Sequence, residues 1–341
     1  IEIPKFSIKR IFRKYKKKLL VGFDPQLFTS SLIKRNFNNL FNLSPIEKNF
    51  VDNIYKEKSK ETVNLFYGLD KKVTGESINS KINRVIKEIK SNNIENIFIS
   101  SPENVAWLLN LRGRDGPNSP IPNCKIILTN KKKIFFFSCP KKIKQIKRDK
   151  QYKSLIFTDY KDFSKVIYKL RGKNFCIDNM SCSLSNEFII KKLFEIKLRI
   201  DPCYIMKSIK NKSEIKHTIN THIKDGLALT RFIYWIKNIN KNKITEIKAK
   251  NKLEKFRRLN KDYLFPSFDT IAGTGSNGAI IHYRVNKKSN KTIKKNDIFL
   301  CDSGGQYNFG TTDVTRTICF SKQKKSIKNI FTNVLKGHIA V

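Results

Sequence analysis

Two aspartates near the end of the sequence, Asp302 and Asp313, could together bind a metal ion. They lie in two consecutive predicted strands, and the turn between these strands is predicted near Tyr307 and Asn308. Such a turn would place the two carboxylates directly opposite each other on one sheet face, ~5 Å apart at Cβ. Opposed carboxylates repel each other unless a cation lies between them, so the pair predicts a metal site. The alternative is that each aspartate caps a turn or pairs with a nearby arginine.

His282 follows the apolar pair Ile280-Ile281 and precedes Tyr283, a pattern that favours a structural histidine in a strand over one that binds a substrate. A lone histidine in a strand is more often structural than functional, so its position alone leaves both roles open. His217 and His222 are five residues apart on a predicted helix. This differs from the four-residue spacing that puts two side chains on one helix face. We therefore predict no ligand pair there.

Longer strings around these residues resemble one family of peptidases. The aspartates lie in Asp302–Tyr307 (DSGGQY) and Gly310–Thr317 (GTTDVTRT), which resemble the paired-aspartate signature of the pita-bread metallopeptidases. Within that superfamily, the sequence from about Val21 to Val341 is most similar to the three-domain Xaa-Pro aminopeptidases (aminopeptidase P). Three further strings carry this resemblance: Asn104–Gly113 (NVAWLLNLRG), Gly273–Arg284 (GTGSNGAIIHYR) and Val334–Ala340 (VLKGHIA).

The resemblance implies a dinuclear metal centre and a proline-specific exopeptidase. Asp302 would bind one metal ion and Asp313 would bridge both, while His282 would contact the peptide substrate near the scissile bond. Two divalent ions, most often Mn²⁺, suit hard oxygen ligands and would activate a hydroxide. The reaction would release the N-terminal residue from peptides with proline in the second position. The family likeness also favours a homodimer.

The resemblance also implies ligands that this sequence does not contain. The family's other three ligands, a His and two Glu, would lie beyond Val341. We therefore expect the sequence, which starts at Ile1 without Met, to be a fragment that lacks both ends and is inactive alone. His338 lies in a string that matches a family helix, so we assign it a structural role. The competing hypothesis is a non-catalytic pita-bread binding module, although such a module has no physical need for opposed carboxylates.

A weak internal repeat indicates the domain organisation. Val21–Asp24 (VGFD) is echoed by Phe175–Asp178 (FCID), and each copy continues with a helix and a second extended stretch. We predict an α/β (α+β) protein with creatinase-like N-terminal domains and the front half of a pita-bread catalytic domain. Its predicted parts are a truncated remainder of the first creatinase-like domain (1–60), a second such domain (61–205) and the truncated catalytic domain (206–341).

Hydrophobic periodicity assigns the motifs to helices and strands. The predicted helices are 78–89, 163–170, 184–194, 213–239 and 244–259, the fourth capped near Ser213 and the fifth at Thr245. The fourth has an apolar stripe that includes Ile219, Ile223 and Leu227. The predicted strands of the second domain are 94–100, 124–129, 133–138, 155–158 and 175–178. The catalytic region is predicted as four antiparallel strands: 267–275, 278–284, 297–307 and 310–320.

Composition argues against several functional classes. The sequence has 70 Lys and Arg against 28 Asp and Glu, a formal charge of +42. Apart from Tyr15, the lysine runs 14–18, 131–133 and 141–150 lack the interleaved aromatic residues of a base-stacking surface. We therefore predict solvated lysine faces and no nucleic-acid or membrane partner; tight duplex binding at physiological salt would instead indicate a nucleic-acid binder. Seven cysteines without zinc-type spacing fit a reducing, cytoplasmic setting.

Overall fold

The computed structural model describes residues 19–37, 41–46, 48–55, 63–240 and 244–341. The predicted domain boundary at residue 60 and the lysine run 14–18 lie outside the described residues. The chain divides into two compact units, 1–116 with 120–210 and 117–119 with 211–341. The division after Lys210 comes a few residues later than the boundary that we predicted at 205.

In the first unit, the part of the chain that the structure describes forms a mixed six-stranded sheet and two smaller sheets. Its strands are β1 (Leu19–Phe23), β2 (Phe41–Pro45), β3 (Tyr67–Gly68), β4 (Asn96–Ile99), β5 (Leu111–Arg112), β6 (Lys125–Thr129), β7 (Ile134–Phe137), β8 (Leu155–Thr158), β9 (Asn174–Ile177) and β10 (Glu195–Leu198). Its helices are α1 (Ser30–Asn36), α2 (Phe50–Ile54), α3 (Lys71–Thr74), α4 (Ile78–Ser91), α5 (Pro102–Leu108), α6 (Phe163–Lys169), α7 (Leu184–Lys191) and α8 (Cys203–Ser208). The large sheet has the order β10-β9-β4-β6-β7-β8, while β1 pairs with β2 and β3 with β5.

The internal repeat corresponds to two strand–helix–strand elements. β1 pairs in parallel with β2 and the connection contains α1, whereas β9 pairs in parallel with β10 and the connection contains α7. The aspartate after the first strand makes the same contact in both copies. Asp24 Oδ1 accepts the Gln26 N–H over 2.8 Å, and Asp178 Oδ1 accepts the Met180 N–H over 2.9 Å. These matching contacts confirm the repeat that the VGFD and FCID strings predicted.

Apolar side chains cover both faces of the six-stranded sheet. All four residues of β4 are buried. Ile97 and Ile99 pack with α4 in one core cluster, while Phe98 packs with Phe163 and Ile167 of α6 in the other. A sheet covered on both faces is typical of α/β proteins. The helices and strands predicted for 78–194 are confirmed, with ends that differ by at most three residues.

The described residues of the second unit form two three-stranded antiparallel sheets and three helices. Its strands are β11 (Tyr263–Pro266), β12 (Ile271–Thr274), β13 (Ile298–Ser303), β14 (Gly305–Tyr307), β15 (Gly310–Thr311) and β16 (Val314–Cys319). Its helices are α9 (Lys212–Asn238), α10 (Glu246–Arg258) and α11 (Lys325–Ala340), and a 3-10 turn spans Gly275–Ala279. The sheets have the orders β12-β13-β16 and β11-β14-β15.

The two long helices of this unit begin at side-chain caps. Asn211 caps α9 instead of the predicted Ser213, because its side chain accepts the Glu214 N–H over 3.0 Å. Glu214 completes the capping box by accepting the Asn211 N–H over 2.9 Å. Thr245 caps α10 as predicted, and its Oγ1 accepts the Lys248 N–H over 3.3 Å.

The buried face of α9 differs from the predicted one. Ile219, Ile223 and Leu227 of the predicted apolar stripe are 55%, 66% and 53% exposed, whereas Leu229 on the same helix is 5% exposed. The buried residues of α9 are Thr221, Asp225, Ala228, Leu229, Phe232 and Ile236. Asp225 can occupy this buried face because its charge is paired with that of Arg257 in the same unit.

The segment 278–284, predicted as a strand, is not one. The chain leaves β12 through the 3-10 turn and then forms a second turn, in which the Tyr283 N–H donates to Ile280 O over 3.2 Å. The backbone folds back closely, since a Cβ at Gly273 would lie 2.8 Å from Gly278 N. This close approach leaves no extended strand, so three of the four strand segments predicted for the catalytic region are present.

The charged surface agrees with the composition. Lys131, Lys132 and Lys133 are exposed, and in the run 141–150 Ile143 and Ile146 are buried at 1% exposure. Apart from the half-buried Lys142, which pairs with Asp115, the lysines of these two runs extend into solvent over apolar residues that face the core. Throughout the described part of the chain, each helix is too short or too polar to cross a membrane.

Candidate active site

Asp302 and Asp313 are not directly opposed, so that part of the prediction is wrong. β13 pairs with β16 in a register that sets Asp302 opposite Thr315. The tip of the same hairpin pairs Tyr307 with Gly310. The turn is therefore centred one residue later than predicted, which shifts every cross-strand partner by two residues.

A shift of two residues keeps both aspartates on one face, because side chains alternate along a strand with a period of two. Asp313 becomes a diagonal neighbour of Asp302, and ~7–8 Å is typical for such pairs. Asp302 is half-buried and Asp313 is exposed. The Thr315 hydroxyl donates to Asp302 Oδ1 over 2.8 Å, which fixes the orientation of this carboxylate. The sequence alone gives no signal for this role of Thr315, because the contact depends on the register of the hairpin.

A close backbone approach lies between the two aspartates. A Cβ at Gly304 would overlap with the Thr312 carbonyl and with the Ser267 side chain. Ser267 Oγ donates to Thr312 O over 2.9 Å, and the Gly305 N–H donates to Thr312 Oγ1 over 3.0 Å. Glycine is the residue that fits at position 304, and the bonds around it fix the spacing of the strands that carry the carboxylates.

His282 lies at the tip of an exposed loop and has a left-handed backbone with φ 53°. The interpretation as a structural strand histidine is therefore wrong. Left-handed conformations are uncommon outside glycine, although histidine adopts them more often than most residues. The loop begins on the sheet face of Asp302, since a Cβ at Gly278 would lie 3.6 Å from Leu300 Cβ. Leu300 precedes Asp302 by two residues and shares its face.

A buried ion pair lies next to the strand that carries Asp302. Arg257 Nε donates to Asp225 Oδ1 over 2.7 Å, and both side chains are almost fully buried. Arg257 Nη2 donates to Ser303 Oγ over 3.1 Å, and Tyr307 OH donates to Asp225 Oδ1 over 2.7 Å. Burial raises the pKa of the Tyr307 hydroxyl, and its bond to Asp225 adds to the rise. The network thus connects α9, α10 and both strands that flank Gly304.

The described residues provide only part of a metal-ligand set. No group of three or more His, Cys, Asp or Glu side chains in this part of the chain could hold a metal ion. Two carboxylates alone do not complete the ~6 oxygen ligands that Mn²⁺ prefers. His338 is exposed on α11, and its structural role stays a prediction. The oxygen donors and open face of Asp302 and Asp313 nevertheless fit a hard divalent ion.

The Cys301 thiol is part of the core, because side chains alternate along β13 and Cys301 lies on the face opposite to Asp302. It is 1% exposed and packs with Phe299 and Ile318. Burial raises its pKa to about 12, and the reactive species of a cysteine is the thiolate. At pH 8 we therefore expect iodoacetamide to label Cys139 and Cys319, which are half-buried, but not Cys301 in the folded chain. Mass spectrometry of the labelled peptides measures this order, and labelling of Cys301 first would contradict it.

The sequence matches two family descriptions. Residues 57–214 match a creatinase/prolidase N-terminal domain, and residues 218–341 match metallopeptidase family M24. The Xaa-Pro aminopeptidase ApepP of Drosophila melanogaster is 32% identical over 333 residues, which cover 94% of this chain and 54% of the fly protein. Xaa-Pro aminopeptidase 1 of Dictyostelium discoideum is 33% identical over 86% of this chain and 48% of its own length. The chain spans about half the length of these curated relatives.

Solved structures share the fold. The X-prolyl aminopeptidase of Caenorhabditis elegans, described as a cytosolic enzyme with a di-nuclear active site, aligns with a TM-score of 0.85 at 24% identity. This alignment covers 95% of the chain and 55% of the nematode enzyme. The prolidase of Pyrococcus furiosus aligns with a TM-score of 0.55 at 23% identity, over 74% of this chain and 69% of its own. The α/β architecture with a pita-bread unit is therefore confirmed.

Proposed function

We propose that the chain belongs to metallopeptidase family M24, which residues 218–341 match, and that the complete protein is a metal-dependent Xaa-Pro aminopeptidase. It would release the N-terminal residue from peptides with proline in the second position. The observation that carries this proposal is the pair of carboxylates, Asp302 and Asp313, on one open sheet face inside the region that matches the M24 family. The relatives named Xaa-Pro aminopeptidase support the choice of substrate.

Asp302 and Asp313 are proposed as ligands of two divalent metal ions, most often Mn²⁺. Asp302 would bind one ion and Asp313 would bridge both. The Thr315 hydroxyl supports this assignment, since a hydrogen bond from a neighbouring residue orients a ligating carboxylate. When bound, such ions polarise the peptide carbonyl and activate water. The remaining ligands are expected to be a His and two Glu outside residues 1–341.

His282 is proposed to bind the peptide near the scissile bond. Its side chain is exposed at a loop tip, and the loop begins against the face that carries Asp302. An imidazole there can donate or accept a hydrogen bond at the peptide and so orient the carbonyl for attack. Proline substrates need such positioning, because the tertiary amide has no N–H through which the enzyme could hold it.

The assembly and location of the protein are also proposals. We expect a homodimer, on the basis of the family likeness. A cytoplasmic location is supported by the seven free cysteines, which suit a reducing compartment. The description of the nematode enzyme as cytosolic is consistent with it. We expect no nucleic-acid partner, although the charge of +42 will attract polyanions weakly at low salt.

Expression of the complete gene product with Mn²⁺ and an Arg-Pro-Pro peptide tests this function. We expect release of the first residue, loss of activity after metal chelation, and recovery when Mn²⁺ is added. Residues 1–341 expressed alone are expected to show no release, because two carboxylates do not hold two ions and the described residues include no third ligand.

Two outcomes would contradict this account. Cleavage by residues 1–341 alone would show that the ligand set is complete without other residues. A complete gene product that binds Mn²⁺ or peptide without cleaving would favour the non-catalytic binding module. The same peptide with alanine in the second position is the control for proline specificity, and we expect it to be cleaved far more slowly.

A further inference from the structure

Glu246 is a fully buried carboxylate attached to both ends of the His282 loop. It is the first residue of α10 and has 0% exposure. Its oxygens accept two backbone N–H groups, from Thr274 over 2.8 Å and from Lys291 over 3.1 Å. Within the described residues, no Lys, Arg or His forms an ion pair with it. Hydrogen-bond donors and the N-terminus of α10 stabilise its charge instead.

Two side chains of the loop bind the same carboxylate. Asn277 Nδ2 lies 3.0 and 3.1 Å from its two oxygens, and Tyr283 OH donates to Oε2 over 3.0 Å. Both side chains are buried, with 7% and 5% exposure. Tyr283 directly follows His282. The loop is thus held before its tip by Thr274 and Asn277 and after it by Tyr283 and Lys291.

The backbone at the far end of the loop is docked on the same helix start. The Glu246 N–H donates to Lys291 O over 3.0 Å, and the Ile247 N–H donates to Asn290 Oδ1 over 3.1 Å. Asn277 Nδ2 also lies 3.0 Å from Ser289 O, which links the two sides of the loop. The start of α10 therefore serves as a common anchor for residues 274–291.

The tip of the loop buries little surface of its own. Ile280 and Ile281 are 53% and 86% exposed, and His282 is exposed as well. A left-handed backbone is unfavourable at a residue with a Cβ, and such strain persists only where the surroundings impose it. The conformation of His282 must therefore come from the anchored residues on either side.

We propose that Glu246 is a positioning residue for His282 and acts through Asn277 and Tyr283. Glu246 does not touch the peptide. It fixes the backbone of the loop so that the imidazole has one orientation before the substrate arrives, which avoids the cost of ordering it on binding. This inference rests on the proposed substrate role of His282.

The first test is Glu246→Gln in the complete gene product. Glutamine keeps the shape of the side chain, but its NH₂ group faces groups that are themselves donors, so part of the network is lost. We expect faster amide hydrogen exchange in 275–291 and a fall in kcat/KM of about 10- to 100-fold. The matched control is Glu254→Gln on the same helix, which also accepts a tyrosine hydroxyl, from Tyr263 over 2.6 Å. That control should leave exchange in 275–291 unchanged.

A double-mutant cycle distinguishes positioning from a general structural role. In a His282→Ala background, Glu246→Gln should lower kcat/KM by less than about threefold, because coupled residues are not additive. Equal losses in both backgrounds would overturn the inference. If Glu246→Gln does not fold, Tyr283→Phe removes one donor and keeps the buried ring. We expect the Tyr283→Phe variant to show the same faster amide hydrogen exchange in residues 275–291.

The exchange measurement also separates this inference from the proposed function. A complete gene product without peptidase activity would refute the function. In that case, faster exchange in 275–291 of Glu246→Gln and Tyr283→Phe would still support the anchoring of His282. Unchanged exchange in both variants would overturn the inference, whatever the activity of the wild-type protein.

Discussion

Replacing Asp313 by alanine in the complete gene product is expected to lower kcat/KM for an Xaa-Pro peptide by more than about 100-fold. Residues that only orient a ligand typically cost 10- to 100-fold, and Asp313 is proposed to bind both ions directly. Asp302→Ala should have a similar effect, because it removes a carboxylate from the same face. Steady-state kinetics measure the loss of kcat/KM, and the Mn²⁺ content per protein measures the loss of bound metal. Both quantities should fall together.

Two further variants control this experiment. Asp262→Ala removes a carboxylate of the same unit that pairs with Lys224 at the surface, and it should keep full activity. Thr315→Val removes the hydroxyl that orients Asp302, so a smaller loss of about tenfold is expected. Activity within tenfold of the wild type in both Asp302→Ala and Asp313→Ala would refute the proposed metal site.

Replacing Asp225 by alanine is expected to destabilise the second unit by about 3–5 kcal/mol, since it leaves a buried charge without its partner. Arg257 has 0% exposure, and its Nη1 has no hydrogen-bond partner within the described residues even in the intact network. Burial lowers the pKa of Arg257, but the hydrogen bond and charge of Asp225 outweigh this and raise it above its ordinary value. The substitution removes this compensation, but the guanidinium would stay charged, because arginine is not deprotonated in proteins.

The exposed pair Lys224–Asp262 provides a matched comparison, because Lys224 precedes Asp225 in the chain. Its side chains are 44% and 31% exposed, and removal of such a pair typically costs less than ~1 kcal/mol. Amide hydrogen exchange of β13 and β14 in urea measures the stability of the second unit within the whole chain, and so compares Asp225→Ala with Asp262→Ala. Asp225→Leu combined with Arg257→Met should restore much of the stability. An Asp225→Ala variant as stable as Asp262→Ala would contradict this account.

Local patterns predicted the first unit well. Strands such as 155–158 combine a short apolar run with flanking polar residues, and helix α4 buries Ile78, Ile82, Val85 and Ile89 at spacings of four and three. These patterns arise from burial against one sheet, so they can be seen in any short window of sequence. The repeated strings VGFD and FCID then identified two equivalent strand–helix–strand elements.

The register of the aspartate hairpin was mispredicted by two residues. The sequence does not specify where a turn is centred when several neighbouring residues can adopt it, and Tyr307, Asn308 and Phe309 form such a stretch. The common face of Asp302 and Asp313 was nevertheless predicted, because an even shift preserves alternation. The partner of Asp302, Thr315, could be identified only once the register was known.

Long-range polar networks were the part that sequence reasoning missed. The carboxylate of Glu246 binds residues 28 to 45 positions away, and no local pattern indicates these partners. Asp225 offered a local signal, since it has the helical spacing of Leu229, Phe232 and Ile236. A carboxylate on an apolar face indicates a buried partner. The identity of Arg257 as that partner depends on how two helices pack, which no local pattern contains.

The two-residue turn between β14 and β15 sets a limit on how this part of the gene can change in length. Asn308 and Phe309 are the two unpaired residues between strands that already pair up to Tyr307 and Gly310, so the turn cannot lose a residue without breaking this pairing. Loss of one residue there would force an odd shift and turn the side chain of Asp313 to the face of Cys301. An inserted residue could instead be taken up in a longer loop. Proteins that descend from this one should therefore tolerate insertions in this turn, whereas selection should remove single-residue deletions.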